Sequence, residues 1–296
     1  MRFARIVSDG REGIALAEGD SARALFDTDA AYPGGLPELV PGGPQALRRA
    51  AEVLAATAGP VDLETVSYLP LLGQTGKIIC VGINYRGHAQ ETHYDVPPHP
   101  TVFARFSTSL TGHKAPLVRP WVSAQLDYEG ELAAVIGTGG RHIAEDDALA
   151  HVLGYSVFND GSVRDFQMET PQWTVGKNFD HTGAFGPFLV TADEVPAGGS
   201  GLRLMTRLNG QIVQQADTSE MIYGVANVIA FLSEAMTLQP GDVLVMGTPP
   251  GVGFERDPQL FMKAGDVCEV EIEGIGLLSN PIVDEALPVS SRQAAR

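Results

Sequence analysis

Apolar and polar positions alternate over short stretches along most of this chain, the period of half-buried strands. "MRFARIV" and "GIALAEG" open the pattern, and "IICVGINY" begins with an apolar run suited to a buried strand. Turn-plus-strand units recur at "LQPGDVLVMG" and "GDVCEVEIEGIG". "LRLMTRLNGQIVQQADT" reads as a hairpin, with Asn209-Gly210 supplying the positive φ angles of a tight turn. Helical spacing shows in two places. One is an amphipathic helix near "PQALRRAAEVLAATAG"; the other is "SEMIYGVANVIAFLSEAM", with Thr218 or Ser219 as its N-cap. The Pro/Gly-rich "YPGGLPELVPGGP" reads as a loop. These elements predict a mostly β, α+β protein with antiparallel pairing and few helices, not an alternating βαβ fold. A boundary near residue 73 divides it into a small N-terminal domain, 1–72, and a main domain, 73–287, with a tail at 288–296.

Composition narrows the classes. The chain has 296 residues, 44% apolar and 19% charged, which is globular composition. A formal net charge of −16 argues against binding nucleic acid or an anionic membrane. No apolar leader opens the chain and no stretch approaches the length of a spanning helix, so a soluble, cytoplasmic protein is expected. Cys80 and Cys268 lie far apart in strand-like runs and read as buried free thiols. No phosphate-binding or dinucleotide glycine motif occurs, and "VMGTPPGVG" lacks the required Lys-Ser/Thr.

The densest chemical signal is "LDYEGELAAVIG". In one extended strand Asp127, Glu129 and Glu131 would share a face, and carboxylates that close raise one another's pKa unless something positive sits among them. A hard cation (Mg²⁺ or Mn²⁺, with Ca²⁺ also suited) takes carboxylate oxygens, so Glu129 and Glu131 are candidate ligands. Asp160, closing the strand "HVLGYSVFN", offers a third; a solvated strand edge is the alternative. In "VGINYRGHAQE", His88 and Glu91 are three apart and would meet on a short helix, either as a general base with its orienting carboxylate or as an exposed pair. Lys177 in "WTVGKNFDHTGAFGP" would face an anionic group or solvent. Arg164 and Gln167 would line the same cavity if a helix follows Asp160, Arg164 pairing with an acid being the alternative. Thr248 could hold a carboxylate or sit in a rigid connecting loop. His93, His99, His113, His142, His151 and His181 show no metal-ligand spacing.

Together, "GINYRGHAQE", "LDYEGELAAVIG", "NDGSVRDFQ", "GKNF", "RLNGQIVQ" and "GTPPGVG" resemble, in order and spacing, the fumarylacetoacetate hydrolase family over about residues 76–283. The resemblance implies that family's mixed β-sandwich roll, preceded by a small N-terminal domain and built as a homodimer. It also implies Glu129, Glu131 and Asp160 as Mg²⁺/Mn²⁺ ligands, and His88 with Glu91 as the water-activating dyad. Lys177 would stabilise developing negative charge, with Arg164, Gln167 and Thr248 around the substrate. One position departs: many members read F-x-K-P where this chain has Arg105-Phe106, and Arg105 is expected to grip a substrate carboxylate. The first expectation for function is metal-dependent hydrolysis of a C–C bond in a 2,4-diketo acid, giving pyruvate and an acid. The alternative is isomerisation or tautomerisation of an unsaturated keto-diacid, or decarboxylation of an oxaloacetate-like acid, at the same site. A metal-binding protein without catalysis is the third reading.

Overall fold

The computed structural model describes residues 1–286 except positions 20 and 75; the expected tail at 288–296 lies outside the described residues. One large mixed sheet runs through the molecule. Its central strands are Gly183–Thr191, Val152–Asn159, Gly130–Ile136, Val243–Val245, Ile78–Gly82 and Thr101–Arg105, in that order. Most pairings are antiparallel, but Val243–Val245 runs parallel to Ile78–Gly82. A second sheet orders Gln211–Asp217, Arg203–Leu208, Val267–Ile272, Gly276–Asp284 and Leu117–Arg119. Leu132 and Val157 from the first sheet join Leu204, Val270 and Leu278 from the second in one buried core. This is the expected mostly β architecture. Gly130–Ile136 and Val152–Asn159 are buried at every position, because both faces of the central sheet are covered.

The N-terminal strands pair directly with the main sheet. Arg2–Ser8 pairs with Gly183–Thr191, with Arg2 opposite Val190, so the N-terminal strands extend the main sheet. The helix Gly43–Thr57 turns Leu47 and Leu54 into a core shared with Val135 and Phe158. Hydrophobic periodicity detects strands but not which strand an edge will pair with.

Two local expectations change. "YPGGLPELVPGGP" holds a helical turn, Leu36–Leu39, with Pro37 in its first turn, where a missing N–H costs nothing. The helix expected from Ser219 starts later, at Val225, and runs to Ala235. Asp217, not Thr218 or Ser219, caps the preceding short turn, and Glu220 completes a reciprocal capping box. The hairpin turn is as expected, with Asn209 at φ 52° and Gly210 at φ 77°. Both cysteines are buried and free. No helix among the described residues is long and apolar enough to cross a membrane.

His113 sits where the N-terminal part meets the second sheet. Its ring meets Tyr68 edge-on at 4.7 Å, and it accepts the Ser279 N–H at 3.0 Å. Burial, reinforced by Lys114, pushes its pKa down from 6.5 to about 4. The fold therefore keeps His113 neutral where the unfolded chain would protonate it. Its contribution to stability is full above pH 6.5 and is lost as pH falls towards 4, about 3 kcal/mol at the limit. Replacing it by asparagine, which retains an acceptor but does not titrate, is expected to flatten that part of the stability–pH curve in urea melts.

Candidate active site

Three carboxylates converge where two antiparallel strands end. Gly130 pairs with Asn159, so Glu129 and Asp160 leave the ladder on neighbouring strands, and the Asp160 N–H bonds Glu129 O at 2.9 Å. Glu131 follows one residue inside the strand. Glu129, Glu131 and Asp160 each offer an oxygen, all within 4.8 Å of one another. Gly130, between two of them, has no room for a side chain: a Cβ there would lie 2.2 Å from Thr206 Oγ1 of the second sheet.

Asp127 is not part of this trio. The strand breaks after Leu126–Asp127 and resumes at Gly130, so the alternation that would align Asp127 with Glu129 is lost. Its carboxylate instead accepts the N–H groups of Gly253 (2.8 Å) and Phe254 (2.9 Å) and the Nε of Arg164 (2.8 Å).

Three buried cations answer these acids unequally. Lys177 Nζ donates to Glu129 Oε2 and Asp160 Oδ2, each at 2.7 Å, and lies 4.9 Å from the centre of the Phe103 ring. Arg164 reaches Glu129 Oε1 at 2.6 Å and Gln167 Oε1 at 2.9 Å. Arg105 donates to Asp160 Oδ1 at 2.5 Å. Glu131 receives only the Gly247 N–H, at 2.5 Å, and no cation among the described residues. The electrostatics follow. Burial opposes ionisation of Glu129, but Lys177 and Arg164 overcome it and hold its pKa down at about 2. Burial, with Asp160 and Glu129 nearby, pushes the Glu131 carboxyl well above the usual range. Lys177 is raised: burial works against its charge, and Asp160 and Glu129 outweigh it.

The donor set therefore fits a hard divalent cation: oxygen atoms only, close together, with one buried carboxylate still short of positive charge. Such a cation would be held by Glu129, Glu131 and Asp160.

His88, Glu129, Glu131, Arg164, Gln167, Lys177 and Thr248 line one cavity of about 190 Å³. Gln167 and Arg164 reach it on the short helix Arg164–Met168 expected after Asp160. His88 lies on the helix Arg86–Glu91, its Nδ1 3.3 Å from Glu91 Oε2. Both Glu91 oxygens accept the Gly251 N–H, at 2.9 and 3.0 Å, so the dyad is pinned to the loop 247–254.

Two expected residues play other parts. Arg105 is buried and away from the cavity lining; its remaining donors go to Gly161 O, Ser109 Oγ and Thr182 Oγ1. It grips a carboxylate as a guanidinium should, but that of Asp160 rather than of a ligand. Thr248 borders the cavity, yet its hydroxyl donates to Gly130 O (3.1 Å) and accepts from Gln214 Nε2 (2.8 Å). Trp173, Phe103 and His93 also line the cavity and carried no distinct signal in the sequence. Only the aromatic content around Lys177 hinted at the apolar wall.

Residues 77–283 match the family model described as fumarylacetoacetate (FAA) hydrolase C-terminal. A mitochondrial oxaloacetate tautomerase of Xenopus laevis is 40% identical over 275 residues, covering 92% of this chain and 86% of that protein. The solved fumarylacetoacetate hydrolase of Exiguobacterium antarcticum superposes with a TM-score of 0.85 at 34% identity, covering 96% of this chain and all of that one (100%). A maleylpyruvate hydrolase from Sphingobium, solved with manganese(II) and pyruvate, has a TM-score of 0.79 at 26% identity over 97% of this chain and 100% of its own.

Proposed function

Because this chain belongs to the fumarylacetoacetate hydrolase family, we propose that it is a divalent-metal-dependent enzyme that interconverts the enol and keto forms of a small 2-oxo diacid of the oxaloacetate class. One observation carries the reading. A single cavity is lined by Glu129 and Glu131, two members of a carboxylate trio in which Glu131 receives no cation among the described residues, together with an imidazole, His88, able to carry a proton. The relative named for oxaloacetate tautomerisation supports it at 40% identity, against 34% and 26% for the two solved hydrolases. Hydrolysis, the first expectation from the sequence, becomes the second reading.

Glu129, Glu131 and Asp160 would hold Mg²⁺ or Mn²⁺, which would supply Lewis-acid polarisation of the substrate when bound. The protein's own groups do the rest. Lys177 and Arg164 keep Glu129 ionised, so a ligand oxygen stands ready without waiting for deprotonation. Glu91 accepts from His88 Nδ1–H and fixes the tautomer, leaving Nε2 to take the proton from carbon 3 and return it to oxygen, or the reverse. No water is consumed and no carbon–carbon bond breaks. Hydrolysis would use the same imidazole on a water, and asks more of a dyad that stands 3.3 Å apart with both carboxylate oxygens already engaged by Gly251.

The test is to follow enol-oxaloacetate in the presence of Mg²⁺ or Mn²⁺, by ultraviolet absorbance and proton NMR, with a chelator control. Metal-dependent conversion with the carbon skeleton intact is expected, and His88→Gln should slow it by about 10²–10⁴-fold. Cleavage of acetylpyruvate to acetate and pyruvate, with oxaloacetate untouched, would establish hydrolysis instead.

A further inference from the structure

The geometry points to Gln214 as a positioning residue of the metal centre, one that sets the two glutamates through the backbone between them. This deepens the reading of Glu129, Glu131 and Asp160 as metal ligands and rests on it.

Strand periodicity does not allow Val213 and Gln214 both to face inward. They lie on Gln211–Asp217, where strict alternation would put either Val213 or Gln214 into the core. Both are buried, because the register against Arg203–Leu208 slips: Thr206 pairs with Gln214 and Arg207 with Ile212, leaving Val213 as an extra residue. Such bulges re-aim a side chain, here an amide that is 2% exposed.

The amide makes three bonds, all around the site. Its Oε1 accepts the Gly130 N–H at 3.0 Å, between Glu129 and Glu131. Its Nε2 donates to Thr248 Oγ1 at 2.8 Å and to Pro249 O at 2.9 Å. Thr248 Oγ1 closes the circuit by donating to Gly130 O at 3.1 Å. Both backbone polar groups of Gly130 are thus held, one by Gln214 directly and one through Thr248. Glycine offers no side chain to fix its own backbone, so these bonds restrict the peptide that sets the two carboxylates' relative placement.

The same loop is tied at its other positions to further acids. Gly247 N–H reaches Glu131, Gly251 N–H reaches Glu91, and Gly253 and Phe254 N–H reach Asp127. Pro249 and Pro250 have no N–H to give, and it is at Pro249 that Gln214 takes the carbonyl instead. Gln214 therefore joins the ligand strand to the loop that anchors the dyad.

The test is a Mn²⁺ titration of the purified full-length protein, free Mn²⁺ being read by electron paramagnetic resonance. Outer partners of metal ligands are worth about 10–100-fold in affinity, so Gln214→Leu is expected to raise the Mn²⁺ dissociation constant by about that factor and to alter the bound-Mn²⁺ spectrum. Gln214→Glu keeps an acceptor for Gly130 N–H but sets a second oxygen against Pro249 O, and is expected to weaken binding by roughly tenfold. A folded Gln214→Leu with a lower melting temperature but natural Mn²⁺ affinity would overturn the inference, leaving Gln214 a structural residue only. Should that variant not fold, Gln214→Glu decides alone: natural affinity and spectrum in it overturn the inference too. Glu131→Gln separates the layers. If it weakens Mn²⁺ binding and the Gln214 variants do not, the inference fails alone; if the natural protein binds no Mn²⁺, the metal reading fails and carries the inference with it.

Discussion

Glutamine in place of Glu131 is expected to weaken Mn²⁺ binding by at least about a hundredfold while leaving the metal-free protein as stable as before, or more so. The two effects have one cause. Glu131 is buried beside Asp160 and Glu129, with a backbone N–H as its only hydrogen-bond partner among the described residues, so ionising it costs stability until a cation arrives. Glutamine keeps an oxygen for the Gly247 N–H and removes the charge, which relieves the repulsion and forfeits the ligand. Calorimetric Mn²⁺ titration and thermal melts in chelator measure the two halves separately. A variant that lost stability in chelator yet bound Mn²⁺ normally would contradict the assignment of Glu131 as a ligand.

Lys177→Met is expected to do the opposite. Its Nζ bridges Glu129 and Asp160, and breaking a buried ion pair by removing one partner costs about 3–5 kcal/mol, because an uncompensated charge stays behind. The urea midpoint of the chelated protein should fall accordingly. Added Mn²⁺ should raise it by more than in the natural protein, since the cation then neutralises acids that no lysine serves. The pH dependence gives a second check. In the natural protein the depressed Glu129 carboxyl contributes stability that is present above pH 4.5 and lost as pH falls towards about 2. Without Lys177 that acid-side loss should shrink, because the charge that does most to hold the Glu129 carboxyl down is gone. An unchanged midpoint in chelator would mean that Lys177 is not what holds the trio together.

Much of the candidate site could be read from the chain. Glu129 and Glu131 are separated by one residue, Asp160 ends a strand, and His88 and Glu91 have helical spacing, so short-range geometry alone made each a candidate. Arg105 shows where this reasoning stops. A guanidinium suits any carboxylate, and nothing local says whether that carboxylate is a ligand's or Asp160's. Asp127 shows the same from the other side: its place in the Asp-x-Glu-x-Glu run suggested a shared face, and a two-residue break in the strand sent it to the loop at Gly253 and Phe254.

The β-rich class, the turn at Asn209-Gly210, the buried thiols and the acids available for a cation follow from local patterns, because periodicity, turn chemistry and residue type act over a few neighbours. Tertiary structure decided the rest. It joined the N-terminal strands to the main sheet, gave Lys177 to two acids and none to Glu131, and turned Gln214 inward at a bulge. Those outcomes depend on which distant groups share a low-dielectric interior, where each buried charge or amide must find its partner among whatever the fold brings within hydrogen-bonding reach.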